Sequence, residues 1–123
     1  MSTSLDALSL SFLGGGVSEI SLVRPKLLNR FDNHLQIELA TALDELAKDD
    51  DVRAIVLGST GKAFSAGGDF ALMQAAHEDA DSRRETVEAG ARLLRSFLDL
   101  PQPIIAAVQG PAIGLGATVA LMG

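Results

Sequence analysis

Two stretches of this chain combine small residues with closely spaced glycines: Phe64-Ser65-Ala66-Gly67-Gly68-Asp69 and Gly110-Pro111-Ala112-Ile113-Gly114-Leu115-Gly116. Small side chains let a ligand approach the backbone, and glycine tolerates the φ values that turn N–H groups inward. The second stretch precedes an apolar run that reads as a helix, whose first turn carries unpaired N–H groups and a partial positive charge. If both stretches converged on one carbonyl oxygen, their fixed donors would stabilise an enolate or a similar oxyanion. On spacing alone, a pair of tight turns is the simpler account.

The elements that must position these stretches are readable from periodicity. Leu8–Leu13 and Val17–Val23 read as two strands of a hairpin joined by Gly14-Gly15-Gly16, and Pro25 leaves the sheet because it cannot donate to a ladder. Asp32 or Asn33 caps a helix on which Leu35, Leu39, Leu43 and Leu46 recur at helical spacing, with Gln36 as a capping-box partner and an end near Lys48 to Asp51. Val52–Leu57 contains the continuous apolar run Ala54-Ile55-Val56-Leu57, which suits a strand buried on both faces. A loop over 58–69, a short helix over Phe70–Ala76 and a mobile polar connection over His77–Ser82 follow. The spacing predicts a second long helix over Arg83–Leu100 with Val87, Ala91, Leu94 and Leu98 on one stripe, stopped by Pro101 and Pro103. Ile104–Val108 is a strand, Gln109–Gly114 a turn and Leu115–Met122 an almost wholly apolar helix. The order predicts an α/β layered fold with helices covering a sheet. An apolar helix this close to the last residue implies that residues 1–123 are the N-terminal part of a single domain whose remainder lies beyond Gly123.

Composition narrows the chemistry. The net charge of −6 supplies no basic stripe for a phosphate backbone, and the absence of Trp and Tyr leaves five Phe for base stacking, so nucleic acid is not an expected partner. No cysteine is present, which excludes thiolate nucleophiles and Cys-based metal sites; no metal is expected. The apolar runs are too short or interrupted to span a bilayer, and the first basic residue is Arg24, so the expected compartment is the cytoplasm, without membrane attachment. Gly58-Ser59-Thr60-Gly61-Lys62 is not a phosphate-binding loop, because Val56 stands where its first glycine belongs and Ala63 where Ser or Thr would bind magnesium. Gly114-Leu115-Gly116-Ala117-Thr118-Val119 lacks the third glycine of a dinucleotide fingerprint. His34 and His77 read as surface histidines, nothing positions His77 for a triad with Ser65 and Asp69, and Asp49-Asp50-Asp51 reads as a solvated helix end.

Four motifs in register go further: Arg24-Pro25-Lys26-Leu27-Leu28-Asn29, Val52-Arg53-Ala54-Ile55-Val56-Leu57, Lys62-Ala63-Phe64-Ser65-Ala66-Gly67-Gly68-Asp69 and Pro103-Ile104-Ile105-Ala106-Ala107-Val108-Gln109-Gly110-Pro111-Ala112. Together they closely resemble the enoyl-CoA hydratase/isomerase, or crotonase, family over nearly the whole chain. The resemblance implies a spiral of ββα turns, of which this chain is the front portion, and an acyl-CoA substrate, as in fatty acid metabolism. It implies no cofactor besides the coenzyme A of the substrate, and a homotrimer or a dimer of trimers. It assigns the two oxyanion-hole amides to Gly68 and Leu115, and it places Ala66, Asp69, Phe70 and Ala71 along the CoA path. Ala66 and Phe70 would offer backbone groups to the adenine, and Lys26 would approach a CoA phosphate.

One departure from the family pattern bears on mechanism. Where the family's hydratases carry a catalytic Glu, one turn into the helix that begins with the second amide, this chain has Thr118. Hydration must activate water and deliver a proton, a task suited to two carboxylates, whereas moving a double bond through a dienolate needs one. A helical threonine ordinarily bonds back to the carbonyl four residues earlier, here Gly114. The expectation is therefore a double-bond isomerase. A hydratase that works without the carboxylate pair, another chemistry of the family, and an inactive acyl-CoA-binding or interaction protein are the alternatives.

Overall fold

A computed structural model describes residues 2–4, 7–68 and 70–123. Strand β1 (Ser2–Ser4), β2 (Leu8–Gly14) and β3 (Val17–Leu22) form an antiparallel meander; β4 (Ala54–Ser59) and β5 (Ile104–Ala106) then add parallel to β3, giving the order β1-β2-β3-β4-β5. Helix α1 (Asn33–Ala47) connects β3 to β4, and α2 (Phe70–Glu78) and α3 (Ala80–Leu98) connect β4 to β5. Parallel neighbours need such crossovers, whereas β2 and β3 need only the glycine turn, where Gly15 and Gly16 take φ values of 62° and 83°. After β5, α4 (Leu115–Leu121) follows an eight-residue link of turns and extended backbone.

The core lies on one face of the sheet. Leu8, Ile20, Leu22, Ile55 and Leu57 are buried there beneath Leu35, Leu39, Leu43 and Leu46 of α1 and Leu93 and Phe97 of α3. Each such side chain contributes about 1.5–3 kcal/mol by leaving water. The apolar run in β4 is not buried on both faces: Ile55 and Leu57 are buried, while Ala54 and Val56 stay half-exposed. On β5, Ile105, in register with Val56, is 58% exposed.

Several expected elements shift. β4 starts at Ala54 rather than Val52 and reaches Ser59, and β5 stops at Ala106. The polar connection over 77–82 shrinks to Asp79 alone, because His77 and Glu78 close α2, and the Asp79 carboxylate accepts from Asp81 N–H to start α3. The stripe of Val87, Ala91, Leu94 and Leu98 does not face the core: Val87 is 63% and Leu98 74% exposed. Helix α3 instead buries Leu93, Ser96 and Phe97, with Gly90 meeting Gln36, Arg92 donating to Thr41, and Ser96 donating to Asp44 at 2.7 Å. Helix α4 likewise buries only Gly116 and Val119, leaving Leu121 at the surface.

The entry to α1 is clamped. Asp32, not Asn33, is the cap, accepting Leu35 N–H at 2.8 Å, and Gln36 reaches the Asn33 side chain rather than closing a capping box on the backbone. Both Asp32 oxygens also receive the Arg24 guanidinium at 3.0 Å, closing the loop 24–32. Burial pushes the Asp32 carboxyl up, but hydrogen bonds from Arg24 and Leu35 and the charges of Arg24 and His34 together hold it below its ordinary 3.8. A carboxyl lowered in the folded state stabilises the fold fully above its ordinary pKa, and that contribution is lost as pH falls through the lowered value. Denaturant midpoints measured from neutral pH down through the carboxylate range should therefore fall more steeply for the native protein than for Asp32→Asn. Parallel curves would show that the clamp does not couple to folding.

Candidate functional site

Strands β3, β4 and β5 run parallel, so the loops that follow them leave from one edge of the sheet, the edge where open α/β sheets bind ligands. Those loops are knitted together. Ala66 N–H donates to the Leu28 carbonyl at 2.9 Å and Phe31 N–H to the Gly67 carbonyl at 2.7 Å, tying the β3 loop to the β4 loop. Phe64 and Ser65 N–H donate to the Pro111 carbonyl at 3.0 and 3.3 Å, and Ile113 N–H donates to the Ser65 carbonyl at 3.0 Å, tying the β4 loop to the β5 loop. The bridges Phe31–Gly68 and Ser65–Ala112 are parallel, so the three loops continue the sheet's direction after its strands have ended. Phe31 and Phe64, both fully buried, anchor two of the loops in the core.

Polar side chains complete the layer, Asn29 and Ser65 buried and Gln109 exposed. Asn29 takes a left-handed φ of 51°; its Nδ2 donates to the carbonyls of Thr60 and Ala63 at 2.8 and 3.1 Å, and its Oδ1 accepts from Arg24 N–H at 2.9 Å. Gln109 Nε2 donates to the carbonyls of Gly61 and Ala63 at 3.0 and 3.2 Å. Ser65 is wholly buried, its hydroxyl donating to the Asn29 carbonyl at 2.8 Å and accepting from Gly67 N–H at 3.2 Å. Sequence reasoning missed Asn29 and Gln109 as builders of the site and weighed Ser65 only as a nucleophile. Their one signal is position: a polar amide or hydroxyl within each loop that leaves the same sheet edge.

The two glycine stretches touch backbone to backbone. A side chain on Gly67, which sits at φ 93°, would place its Cβ 2.6 Å from the Ile113 carbonyl oxygen and 3.6 Å from Gly114 Cα. One on Gly116 would lie 2.5 Å from the Ser65 carbonyl oxygen. Only hydrogen fits at these contacts. Thus the residues that precede Gly68 and Leu115 are direct neighbours.

Neither the Gly68 N–H nor the Leu115 N–H has a hydrogen-bond partner among the described residues. Each belongs to a peptide whose carbonyl is held from the other side. The Gly67 carbonyl accepts Phe31 N–H, and the Gly114 carbonyl accepts Thr118 N–H at 3.1 Å and the Thr118 hydroxyl at 3.3 Å. No peptide among the described residues is cis, so each N–H points opposite to its carbonyl, and holding one fixes the other. The result is two fixed, unpaired donors on adjoining loops, an arrangement suited to a developing oxyanion.

The other expected site residues fall as follows. Ala66 is half-buried; its N–H is taken by Leu28, which leaves only its carbonyl to offer a ligand among the described residues. Lys26 is exposed on the 3-10 turn Pro25–Leu27 that leads into the β3 loop. Phe70 and Ala71 open α2, from which Met73 lies against Gly68, and Asp69 lies outside the described residues. Thr118 is exposed, its hydroxyl engaged by Gly114 as a helical threonine's would be. His34 pairs with Glu38 at 3.4 Å, and His77 is exposed in the last turn of α2, so neither sits in the loop layer. Among the described residues no group of His, Cys, Asp and Glu could hold a metal, and no helix is long and apolar enough to cross a membrane.

Residues 13–123 match the enoyl-CoA hydratase/isomerase family profile. The chain is 34% identical over 121 residues to the 1,2-epoxyphenylacetyl-CoA isomerase of Escherichia coli (strain K12), covering 93% of this chain and 44% of that protein. It is 37% identical over 107 residues to the carboxymethylproline synthase of Pectobacterium carotovorum subsp. carotovorum, covering 86% of this chain and 42% of that protein. An enoyl-CoA hydratase/isomerase structure from Mycobacterium paratuberculosis shares the fold with a TM-score of 0.87 at 34% identity, over 95% of this chain and 47% of that one. The chain therefore spans less than half the length of these relatives. With its profile matched from residue 13 onward and its mixed α/β fold shared with a solved member, the chain belongs to the enoyl-CoA hydratase/isomerase family.

Proposed function

We propose that this chain supplies the thioester-binding part of an acyl-CoA enzyme, with the substrate carbonyl oxygen received by the N–H groups of Gly68 and Leu115. The single observation that carries the reading is the pair of fixed, unpaired donors on two loops bonded to each other. A thioester oxygen gains negative charge as a proton leaves the adjacent carbon. Donors already aimed at that oxygen stabilise the enolate more than the ground state. The family membership supports a CoA thioester as the class of substrate, with Lys26, the Ala66 carbonyl, Asp69, Phe70 and Ala71 along the CoA path. No resident cofactor is required, since CoA arrives with the substrate.

The preferred reaction is migration of a double bond. Removal of a C2 proton from a 3-enoyl thioester gives a dienolate whose charge rests on the held oxygen; return of a proton at C4 gives the 2-enoyl product. One carboxylate can carry the proton both ways. Thr118 lacks a suitable pKa, and its hydroxyl is bonded to Gly114, which supports isomerisation over a two-carboxylate hydration. The reading takes residues 1–123 as the N-terminal part of one domain and puts the proton-carrying carboxylate in chain that follows Gly123. It also takes the protein as a cytoplasmic homotrimer or dimer of trimers.

Full-length protein given a 3-enoyl-CoA should convert it to the 2-enoyl isomer, followed by the absorbance of the conjugated thioester. Efficient hydration of a 2-enoyl-CoA instead would overturn the preference for isomerisation, and binding of both without turnover would favour an acyl-CoA-binding protein. Leu115→Pro removes one donor while keeping a helix start, because proline suits the first helical position. It should lower kcat by about 10²- to 10³-fold with the fold retained. Thr118→Glu should raise the ratio of hydration to isomerisation by roughly 10-fold or more, since a positioned acid–base group is worth about 10²–10⁴ when fully effective; an unchanged ratio would remove position 118 from the choice of reaction.

A further inference from the structure

We propose that Ser65 is a positioning residue of the oxyanion cradle, its hydroxyl setting the plane of the peptide that presents the Gly68 donor. This rests on the thioester reading above. Ser65 joins three loops through four hydrogen bonds made by its N–H, carbonyl and hydroxyl groups. Its N–H reaches Pro111, its carbonyl receives Ile113, its hydroxyl donates to Asn29, and the same hydroxyl accepts from Gly67 N–H. A hydroxyl has one proton to give, and here a buried carbonyl 2.8 Å away takes it. That commitment, together with complete burial, argues against a nucleophile and for an anchor.

The mechanical argument concerns Gly67. The direction of the Gly68 N–H follows from rotation about the Gly67 backbone, where a glycine at φ 93° has little intrinsic restraint. Two hydrogen bonds supply it. Phe31 N–H holds the Gly67 carbonyl, and the Ser65 hydroxyl holds the Gly67 N–H. The first is a main-chain bond, but the second hangs on one side-chain oxygen and can be deleted without altering the chain trace. Its deletion leaves the Gly67 N–H and the Asn29 carbonyl without their partner in a buried layer, freeing the segment to turn. A donor that wanders still permits CoA to bind, but it meets the enolate less well.

In the full-length protein assayed with a 3-enoyl-CoA, Ser65→Ala should lower kcat by roughly 10- to 100-fold while KM changes by less than about threefold. Ser65→Cys, which keeps a weaker donor and acceptor at the same place, should recover part of that loss. Affinity for a thioester analogue that mimics the enolate should fall with kcat, and affinity for free CoA should not. A native kcat in Ser65→Ala, a rise in KM alone, or a cysteine variant no better than alanine would overturn the assignment. Should Ser65→Ala fail to fold, Ser65→Cys decides alone, a reduced kcat at unchanged KM supporting the assignment and a native kcat overturning it. Leu115→Pro separates the two levels. If it lowers kcat and the Ser65 variants do not, the positioning role fails; if it too has native kcat, the thioester reading fails.

Discussion

Contact between the main chains of residues 64–67 and 111–116 is the constraint on which the site depends. At Gly67 and Gly116 the opposing carbonyl lies where a Cβ would otherwise be, so the loops approach to a distance no side chain allows. At Asn29, Phe31, Phe64, Ser65 and Gly67 the layer is buried, and each buried polar group left unpaired there would cost about 1–3 kcal/mol. Burial therefore requires the hydrogen bonds that Phe31, Phe64 and Ser65 make to neighbouring loops, and those bonds reach outward to Pro111 and Ile113. The loops consequently stabilise one another, and two donors that the layer does not consume remain for a ligand.

The sheet supplies the stage for that contact. The change from an antiparallel meander to parallel strands at β3 brings three strand ends, rather than one, to the same edge. Helices α1 and α3 bury one face over Ile20, Ile55 and Leu57, which fixes the strands beneath the loops. Phe31 and Phe64 then extend the core into the loop layer, so the apparent turns are held by the same packing as the strands. Rigid support matters because a donor misplaced by a fraction of an ångström loses much of its preference for the transition state.

Hydrophobic period was a sound guide where one apolar stripe dominated and a poor one where two competed. In α1, Leu35, Leu39, Leu43 and Leu46 form one continuous face, and all four are buried. Helix α3 offers the larger stripe of Val87, Ala91, Leu94 and Leu98, yet the face turned inward carries Gly90, Leu93, Ser96 and Phe97. The choice rests on partners in α1: Gln36 close to Gly90, Thr41 on Arg92 and Asp44 on Ser96. Hydrophobicity gives no weight to such polar contacts. The same blindness hid Asn29 and Gln109, since an amide that satisfies distant carbonyls looks like any polar loop residue until the fold is known. The glycines were legible because their requirement is steric and local.

A hole built from main-chain N–H groups separates two functions that side chains would otherwise share. Changing the side chain of Leu115 leaves its N–H in place, so the residue there is free to shape its surroundings without removing the donor. Proton transfer needs a titratable side chain, and at position 118 that requirement yields to a hydroxyl bonded to Gly114. That hydroxyl still reaches the carbonyl of the peptide that carries the Leu115 N–H. A bond accepted by a peptide's carbonyl polarises its N–H, strengthening rather than competing with the donor. The groups that bond around the two peptides are Phe31 and Ser65 on one side and Thr118 on the other. None of them needs to touch a ligand to change the direction or strength of a donor aimed at it.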